Sequence, residues 1–295
     1  MSYTLTENEL RTIAKKIKDE LFFPVNQSKT TIFLCGADIK NIKTARARMA
    51  EILKENPRFS LLYPEDIFDD LLAGQGHYSL LELENILADS VDCIVIFPES
   101  PGSFAEIGAF SNNEKLAKKM IVLSNKKYKY DKSFINYGPY RLIKRSKSGK
   151  VININYDDLS HPINKINIYR NVNTHISQIK KNNPVEKNVA NLLEAGNFIL
   201  PCIYLFEYID TLILNKLMKF ATSHDETLCD IAIKSTIGTL VQKHYISRTD
   251  KGFIVTKQGA EYIRNNFKAA PLDSIRIELL NSENRRNSRI FYVRM

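Results

Sequence analysis

Short apolar runs alternate with amphipathic helical patterns over residues 30–155. The runs TTIFLC, FSLLY, VDCIVIF, MIVLS and VININY have the length and the β-branched content of buried strands. Between them, apolar residues recur at helical spacing, as at Ala45, Met49 and Ile52. Strands that are apolar on both faces and separated by helices are typical of a parallel sheet covered on both sides. The pattern predicts an α/β domain with a Rossmann-like or flavodoxin-like parallel sheet over residues 30–160.

Two less regular regions flank this domain. Residues 1–29 predict an amphipathic helix that is capped by Thr6, with Glu9 at the position of a capping box. Residues 161–195 are polar and rich in asparagine, which indicates a connecting segment with one or two helices.

The C-terminal region, residues 196–295, begins with a strongly apolar stretch of about 25 residues. This stretch contains Pro201, Glu207 and Asp210, which favour a buried helix pair, in a core or at a dimer interface, over a membrane span.

The next pattern in this region is a helix, a β-hairpin and a second helix. Strands predicted over 245–248 and 253–256 flank a four-residue turn, 249–252, with Asp at its second position and Gly at its last. The order and the string KGFIVTKQGAEYI resemble the wing of the winged helix-turn-helix family, which implies contact with nucleic acid. The alternative is a small α+β domain that serves only oligomerisation.

The formal net charge of +9 is unevenly distributed. Residues 1–160 carry 23 basic and 21 acidic residues, whereas residues 161–295 carry 19 and 12. A nearly neutral domain joined to a basic one suggests that the basic one meets a polyanion, although solubility alone also explains a modest excess. The residues that we expect to bind nucleic acid are the cations of the predicted winged helix: Lys234, Lys243, His244, Arg248, Lys251 and Lys257.

The cysteines and the first residues bear on the compartment. Cys35, Cys93, Cys202 and Cys229 form no C-x-x-C pair, and no Cys/His spacing suits zinc, so we expect neither a disulfide nor a metal site. The chain starts with a charged amphipathic stretch instead of an apolar leader, and no apolar run is long enough for a bilayer. These features predict a cytoplasmic protein without a membrane partner.

The loops that follow the predicted strands are the candidate ligand site. Ligands of open parallel sheets bind at the carboxyl edge of the strands, where loops 35–38, 64–66 and 98–106 are expected. Glycines in these loops let the backbone approach a ribose or phosphate closely. The substrate-binding candidates are Cys35, Gly36, Ala37, Asp38, Ser100, Gly102, Ser103 and Asn113.

Glu106 is the candidate catalytic residue. Gly102 and Ser103 are predicted to open a helix whose first turn contains Glu106, with Phe104 and Ile107 facing the sheet. A carboxylate there suits N-glycosidic cleavage, because it stabilises or traps the cation that forms at the anomeric carbon. The helix N-terminus is expected to keep Glu106 ionised. The alternative is that Ser103 and Glu106 form a capping box.

The run VDCIVIFPESPGSFAEIGAF resembles the signature of the nucleoside 2-deoxyribosyltransferase-like superfamily, and FLCGAD resembles its first strand and sugar-binding turn. The resemblance covers residues 30–125 and implies that Glu106 attacks the anomeric carbon. The family commonly has an aspartate six residues before this glutamate, where the chain has Ser100 next to Glu99. This departure favours hydrolysis over transfer of the sugar to a second base.

Over its whole length the chain resembles the effectors of bacterial retrons, on segments such as TIFLCGAD, FPESPGSFAEIGAFSNNE, FINYGPYRL and IELLNSENRRNS. The resemblance implies assembly with a reverse transcriptase and its branched RNA–DNA product, msDNA. It also implies higher-order oligomers and a toxic, toxin–antitoxin-like effector in anti-phage defence that cleaves NAD as a substrate and has no resident cofactor. A different function, a DNA-binding regulator whose α/β domain only senses a nucleotide, stays open, and so does deoxyribosyl transfer.

Other polar motifs carry less information. The loop over 126–132 places four lysines around Tyr128 and Tyr130, which suits either a phosphate backbone or a solvated charge run. In FINYGPYRL, packing is the simplest role for Tyr137, Tyr140 and Arg141. A second basic segment is the tail with Arg285, Arg286, Arg289 and Arg294. G-Q-G-H around His77 lacks the spacing of a phosphate loop, and Asp69, Asp70, Glu82 and Glu84 are typical of solvated faces.

Overall fold

The computed structural model describes residues 5–26, 29–65, 90–185, 187–191, 193–206, 208–222 and 226–293. Two compact units are present, one of Lys29–Glu186 and one of Met1–Ser28 with Lys187–Met295. The candidates between Asp69 and Glu84 lie outside the described residues. The same holds for the tail arginines, whose side chains are not among those described.

The first unit contains five parallel strands, each at a predicted position. In sheet order β2-β1-β3-β4-β5, they are β1 (Thr30–Cys35), β2 (Phe59–Leu62), β3 (Cys93–Ile96), β4 (Met120–Asn125) and β5 (Lys150–Ile154). This is the flavodoxin-like order, in which the winding direction reverses between β1 and β3. The prediction of an α/β fold on a parallel sheet is confirmed.

Helices of this unit, numbered along the whole chain, cover the sheet. They are α3 (Ala45–Lys54), α4 (Pro101–Asn112), α5 (Glu114–Ala117), α6 (Phe134–Tyr137), α7 (Pro139–Arg145) and α8 (Pro162–Asn182). Short 3-10 turns lie at Lys126–Tyr128 and Tyr156–Ser160.

Helix α8 differs from the connecting segment predicted over 161–195. Val172, Ile176 and Ile179 on α8 are fully buried and pack in the same core as Val95 of β3. Their spacing of three and four residues forms one narrow apolar face. Polar residues between them, such as Asn173, His175 and Gln178, lowered the average hydrophobicity and concealed this face from the sequence pattern. Most of the predicted segment is therefore part of the α/β unit.

The second unit is mainly helical. It comprises α1 (Glu7–Lys16), a π-helical turn (Ile17–Phe22), α2 (Phe23–Asn26), α9 (Gly196–Leu205), α10 (Thr211–Ala221), α11 (Glu226–Gln242), β6 (Ile246–Thr249), β7 (Gly252–Val255), α12 (Lys257–Asn266) and α13 (Ala269–Val293). The predicted apolar helix pair is present as α9 and α10, and the predicted hairpin as β6 and β7. No helix within the described ranges is long and apolar enough to cross a membrane.

Helix α1 belongs to the core of this unit, although the sequence suggested a separate N-terminal region. The predicted capping box between Thr6 and Glu9 is present. Leu10 and Ile13 are buried in one apolar cluster with Leu214 of α10, and the Arg11 guanidinium carbon lies 4.7 Å from the centre of the Phe220 ring. The two sequence-distant ends of the described chain thus build one core.

Candidate active site

Glu106 lies in the second turn of α4, at the sixth position of the helix. The helix begins at Pro101, just before the predicted start at Gly102 and Ser103, because Ser100 is its N-cap and Pro101 occupies the first helical position. The capping box joins Ser100 to Ser103, whose hydroxyl accepts the N–H groups of Glu99 and Ser100 at 3.1 and 3.0 Å. The predicted capping box between Ser103 and Glu106 is wrong, and the carboxyl is not used as a cap.

The face that α4 turns toward the core also differs in part from the prediction. Ser103, Ile107 and Phe110 are buried, and the Phe110 ring centre lies 6.3 Å from that of Phe33 on β1. Ile107 was predicted correctly, whereas Phe104 is 48% exposed and does not face the sheet. Ser103 and Ile107 are four residues apart and therefore lie on the same side of the helix, and Glu106 lies at the edge of that buried side.

The Glu106 carboxyl is half-buried, and its Oε2 atom is fully buried without a hydrogen-bond partner among the described residues. The Cys35 thiol, at the end of β1, lies near the same carboxyl. Burial raises the pKa of Glu106 to about 7, although Arg46 and the Cys35 thiol act in the opposite direction. Burial therefore opposes the ionisation that the helix N-terminus was expected to favour.

The charge of Arg46 acts on this carboxyl, and the Arg46 side chain is almost fully buried. Its Nε donates to the Leu34 carbonyl at 3.0 Å and its Nη1 to the Ala37 carbonyl at 2.9 Å. Nη1 and Nη2 also donate to the two carboxylate oxygens of Glu65, each at 2.7 Å, and the guanidinium carbon lies 5.3 Å from the centre of the Tyr63 ring. The guanidinium is thus locked between the ends of β1 and β2.

Sequence reasoning missed Arg46, although the pattern contained a signal. Arg46 occupies the apolar stripe of α3, where Met49 and Leu53 follow at spacings of three and seven residues. A cation on a buried face must find partners, so its position on that stripe was a reason to examine it.

Glu99 holds the start of α3 in place. Its carboxylate accepts the backbone N–H groups of Ala45 and Arg46 at 2.8 and 3.0 Å. The neighbouring Ser100 hydroxyl donates to the Gly36 carbonyl at 3.3 Å. These contacts tie the loop after β3 to the turn after β1, on either side of the point where the strand order reverses.

Gly36 is required by the close approach of Arg46. A Cβ atom on Gly36 would lie 2.9 Å from Cβ and 3.0 Å from Cδ of Arg46, and 3.2 Å from Cβ of Phe97. The arginine can therefore cross the turn only because residue 36 has no side chain.

The remaining predicted binding residues are distributed around this core. Ala37 offers its carbonyl to Arg46, and Gly102 is exposed at the start of α4. Asp38 is exposed and accepts the N–H of Lys40 in a local turn at 2.9 Å. Asn113 caps α5 at the far end of α4, about 10 Å along the helix axis from Glu106. The structure brings Cys35, Gly36, Ala37 and Ser100 together at the β1–β3 edge, and it does not bring Asn113 there.

A groove of about 530 Å³ runs along the other side of α3, with Ile42, Arg48 and Lys165 in its lining. Neither Glu106 nor Cys35 lines it. The groove is therefore separate from the candidate active site, whose identification rests on the buried carboxyl and its neighbours.

The six cations that were predicted to meet nucleic acid are all exposed: Lys234, Lys243, His244, Arg248, Lys251 and Lys257. Lys234 forms an ion pair of 2.6 Å with Asp230 on the same helix. His244 has a φ of +54° at the junction between α11 and the hairpin. The Lys251 ammonium lies 5.5 Å from the centre of the Tyr208 ring. Lys243, Arg248, Lys251 and Lys257 offer positive charge to solvent in and beside the hairpin.

The strand order and the buried carboxyl at its reversal point define this chain as a flavodoxin-like α/β protein with a candidate ligand site between β1 and β3, joined to a mainly helical unit. Residues 42–248 match the STM3845 retron effector protein family. The chain belongs to this family of retron effectors.

Two curated relatives come from Escherichia coli. The first, described as "Retron Ec86 putative ribosyltransferase/DNA-binding protein", is 39% identical over 299 residues, which cover 99% of this chain and 97% of the relative. The second, a retron Ec73 protein with the same description, is 36% identical over 132 residues, 43% of this chain and 41% of the relative.

Proposed function

We propose that this retron effector cleaves the base–ribose N-glycosidic bond of NAD or a related nucleotide, with Glu106 as its catalytic carboxylate. The observation that carries this proposal is the buried Oε2 atom of Glu106, which has no protein partner among the described residues and lies beside the end of β1. The ribosyltransferase description of the two relatives supports chemistry at a sugar carbon.

In the proposed reaction, the ionised Glu106 carboxylate faces the anomeric carbon while its bond to the nicotinamide nitrogen breaks. The bonding pair returns to the pyridinium nitrogen, so nicotinamide leaves as a neutral molecule. The carboxylate stabilises the sugar cation by charge or as a covalent ester, and water then adds with loss of one proton. NAD and water thus give ADP-ribose, nicotinamide and a proton.

The neighbours of Glu106 support a substrate whose leaving group needs no proton. Glu99 and Glu65 are both held by hydrogen bonds, to the start of α3 and to Arg46 respectively. Burial raises the pKa of the Cys35 thiol well above its usual range, so the thiol stays protonated and does not act as a nucleophile. Nicotinamide is a pyridinium cation while it is attached to the ribose and leaves without protonation. It therefore fits these neighbours of Glu106 better than a purine, which generally requires protonation to leave.

The test is release of nicotinamide from NAD by the purified full chain, alone and after activation of its complex. Glu106→Gln is expected to reduce the rate by about 1000-fold or more, because the variant lacks the negative charge that stabilises the sugar cation in the transition state. Glu114→Gln, an exposed carboxyl on the next helix, is the matched control and should retain activity. Equal rates for Glu106→Gln and the unmodified chain would disprove the assignment.

We further propose that the helical unit contains a winged helix that binds nucleic acid. Its order supports this: helix α9, an isolated bridge between Ile209 and Phe253, helices α10 and α11, and then the hairpin. The exposed cations around the hairpin supply the charge that phosphates attract. The DNA-binding description of the relatives is consistent with such contact.

The proposed partners are a retron reverse transcriptase and its branched RNA–DNA product, which would hold the effector inactive until infection, within a homo-oligomer. Co-expression is the test. The chain expressed without these partners should deplete NAD and arrest growth, and Glu106→Gln should remove both effects. Growth arrest that persists in Glu106→Gln would separate toxicity from the proposed chemistry.

A further inference from the structure

The segment after β4 exposes four aromatic rings to solvent. Tyr130 and Phe134 are each 85% exposed, and Tyr128 and Tyr137 are each 49% exposed. Aromatic rings are normally buried or used at interfaces, so four exposed neighbours point to a binding partner. We refer to these four rings together with Lys127 and Lys129 as the β4 loop surface.

Positive charge is concentrated in the same segment. Residues 126–150 contain nine basic residues and one acidic residue, whereas the rest of residues 1–160 contains 14 basic and 20 acidic residues. Three cations lie next to the exposed rings. The Lys127 ammonium is 4.6 Å from the Tyr128 ring centre, and the Lys129 ammonium is 4.9 Å from that of Tyr130. The Arg141 guanidinium carbon is likewise 4.6 Å from a ring centre, that of Tyr137.

The backbone of this surface is held in place by polar contacts. The Asn125 side chain accepts the N–H of Lys127 at 3.1 Å, and the Asn136 amide donates to the carbonyls of Tyr128 and Asp131 at 3.0 and 2.8 Å. The exposed rings are thus presented on a braced loop. A preorganised surface loses less conformational entropy when a ligand binds.

The surface also lies on the edge of the sheet that carries the candidate active site. All five strands are parallel, and the segment follows the carboxyl end of β4, as the Cys35 turn follows that of β1. A partner bound there would reach the same edge as Glu106.

We propose that the β4 loop surface binds a single-stranded nucleic acid. Lysine ammonium groups would contact phosphates, while unpaired bases stack on the Tyr130 and Phe134 rings. The cations and exposed aromatic rings alternate along this surface, as phosphates and bases alternate along a single nucleic-acid strand. A duplex hides the faces of its bases and offers only its phosphates. DNA and RNA both contain the phosphates and base faces that this binding uses, so the proposal covers both.

The test uses the full chain and a fluorescent oligothymidine of about 15 nucleotides, with a matched oligouridine and a duplex. Tyr130→Ala with Phe134→Ala should weaken single-strand binding about tenfold or more at every salt concentration. Tyr130→Phe should restore most of the stacking. Ile42→Ala with Ile163→Ala, which removes two exposed apolar side chains elsewhere in this unit, is the control.

The lysines have a different signature. Lys127→Gln with Lys129→Gln should reduce the slope of log affinity against log salt by about 1.4, whereas the aromatic variant should leave the slope unchanged. Lys181→Gln, an exposed lysine of α8, is the matched control.

The same measurements are repeated in a chain that also carries Arg248→Glu and Lys251→Glu. Binding by the hairpin is thereby removed, and binding by the β4 loop surface is measured separately. Loss of binding to either single strand in the aromatic variant supports the proposal. Unchanged single-strand binding in that variant, or an equal loss of duplex binding, would overturn it.

Discussion

Arg46 binds both carboxylate oxygens of Glu65, with each hydrogen bond 2.7 Å long. The two residues act in opposite directions on Glu106. Burial is the main influence and raises the pKa of Glu106 to about 7, the Arg46 charge lowers it, and the Glu65 charge raises it. The ion pair therefore adjusts the ionisation of a carboxyl that belongs to a different strand–helix connection.

Glu65→Gln is expected to shift the activity profile to lower pH. The substitution removes the negative charge that opposes ionisation of Glu106 and leaves Arg46 in place, so the pKa of Glu106 falls. The measurement is kcat/KM for nicotinamide release as a function of pH, whose acidic limb reports the free enzyme. Glu51→Gln, on the exposed side of α3, is the control. A shift to higher pH would contradict the prediction.

Glu106→Gln is expected to stabilise the fold above neutral pH. The folded pKa of about 7 exceeds the value of 4.5 expected in the unfolded chain, so the stability linked to this group is present below pH 4.5 and is lost as pH rises through 7. The gain in the free energy of unfolding should be near zero at about pH 4 and reach about 2–3 kcal/mol at about pH 8.

Urea denaturation across this pH range provides the measurement for Glu106→Gln. Glu114→Gln is the control, because Lys118 lowers the pKa of that exposed carboxyl and reverses the sign. A variant that is less stable than the unmodified chain at about pH 8 would show that burial does not dominate at Glu106.

Gly36→Ala is expected to destabilise the α/β unit by about 1–3 kcal/mol. The new methyl group would press on Arg46 at 2.9 Å and displace the guanidinium that joins the ends of β1 and β2. Gly108→Ala is the matched comparison, because a Cβ atom there meets nothing within 4 Å and alanine favours the helix by about 1 kcal/mol. Thermal unfolding of both variants distinguishes a steric effect from a general cost of losing glycine.

Charge reversal on the hairpin is expected to weaken duplex binding. Lys243→Glu, Arg248→Glu and Lys251→Glu remove exposed cations that do not belong to the core, so the fold should remain intact. Affinity should fall, and the salt slope should decrease by about 1 for each phosphate that the hairpin no longer binds. Duplex binding that is unchanged across a salt series would assign the hairpin to protein contacts instead.

The sheet and the position of Glu106 after the third strand could be predicted from the sequence, since buried parallel strands leave long apolar runs. The start of α4 could not be placed correctly, because Ser100 and Ser103 are both good N-caps. The side-chain network between Ser100, Ser103 and Glu99 decides between them.

The Arg46–Glu65 pair could not be predicted from local patterns. Its partners come from β1, from the turn after β1 and from the residues after β2, so only the folded sheet brings them together. The burial of Glu106 was also inaccessible, because it depends on β1 and α3. Local sequence supplied the candidate carboxyl, and tertiary packing determined its protonation.

The pairing of helix α1 with α10 has a consequence for synthesis on the ribosome. Leu10 and Ile13 find their buried neighbours only after Leu214 and the rest of α10 have emerged, roughly 200 residues later, whereas the strands of the α/β unit are already complete by Ile154. The nascent chain can thus finish its sheet while its first helix still waits for a partner. An arrested nascent chain from which residues 1–186 have emerged, with α10 still inside the ribosome, should resist protease at the sheet and be cut within residues 7–26.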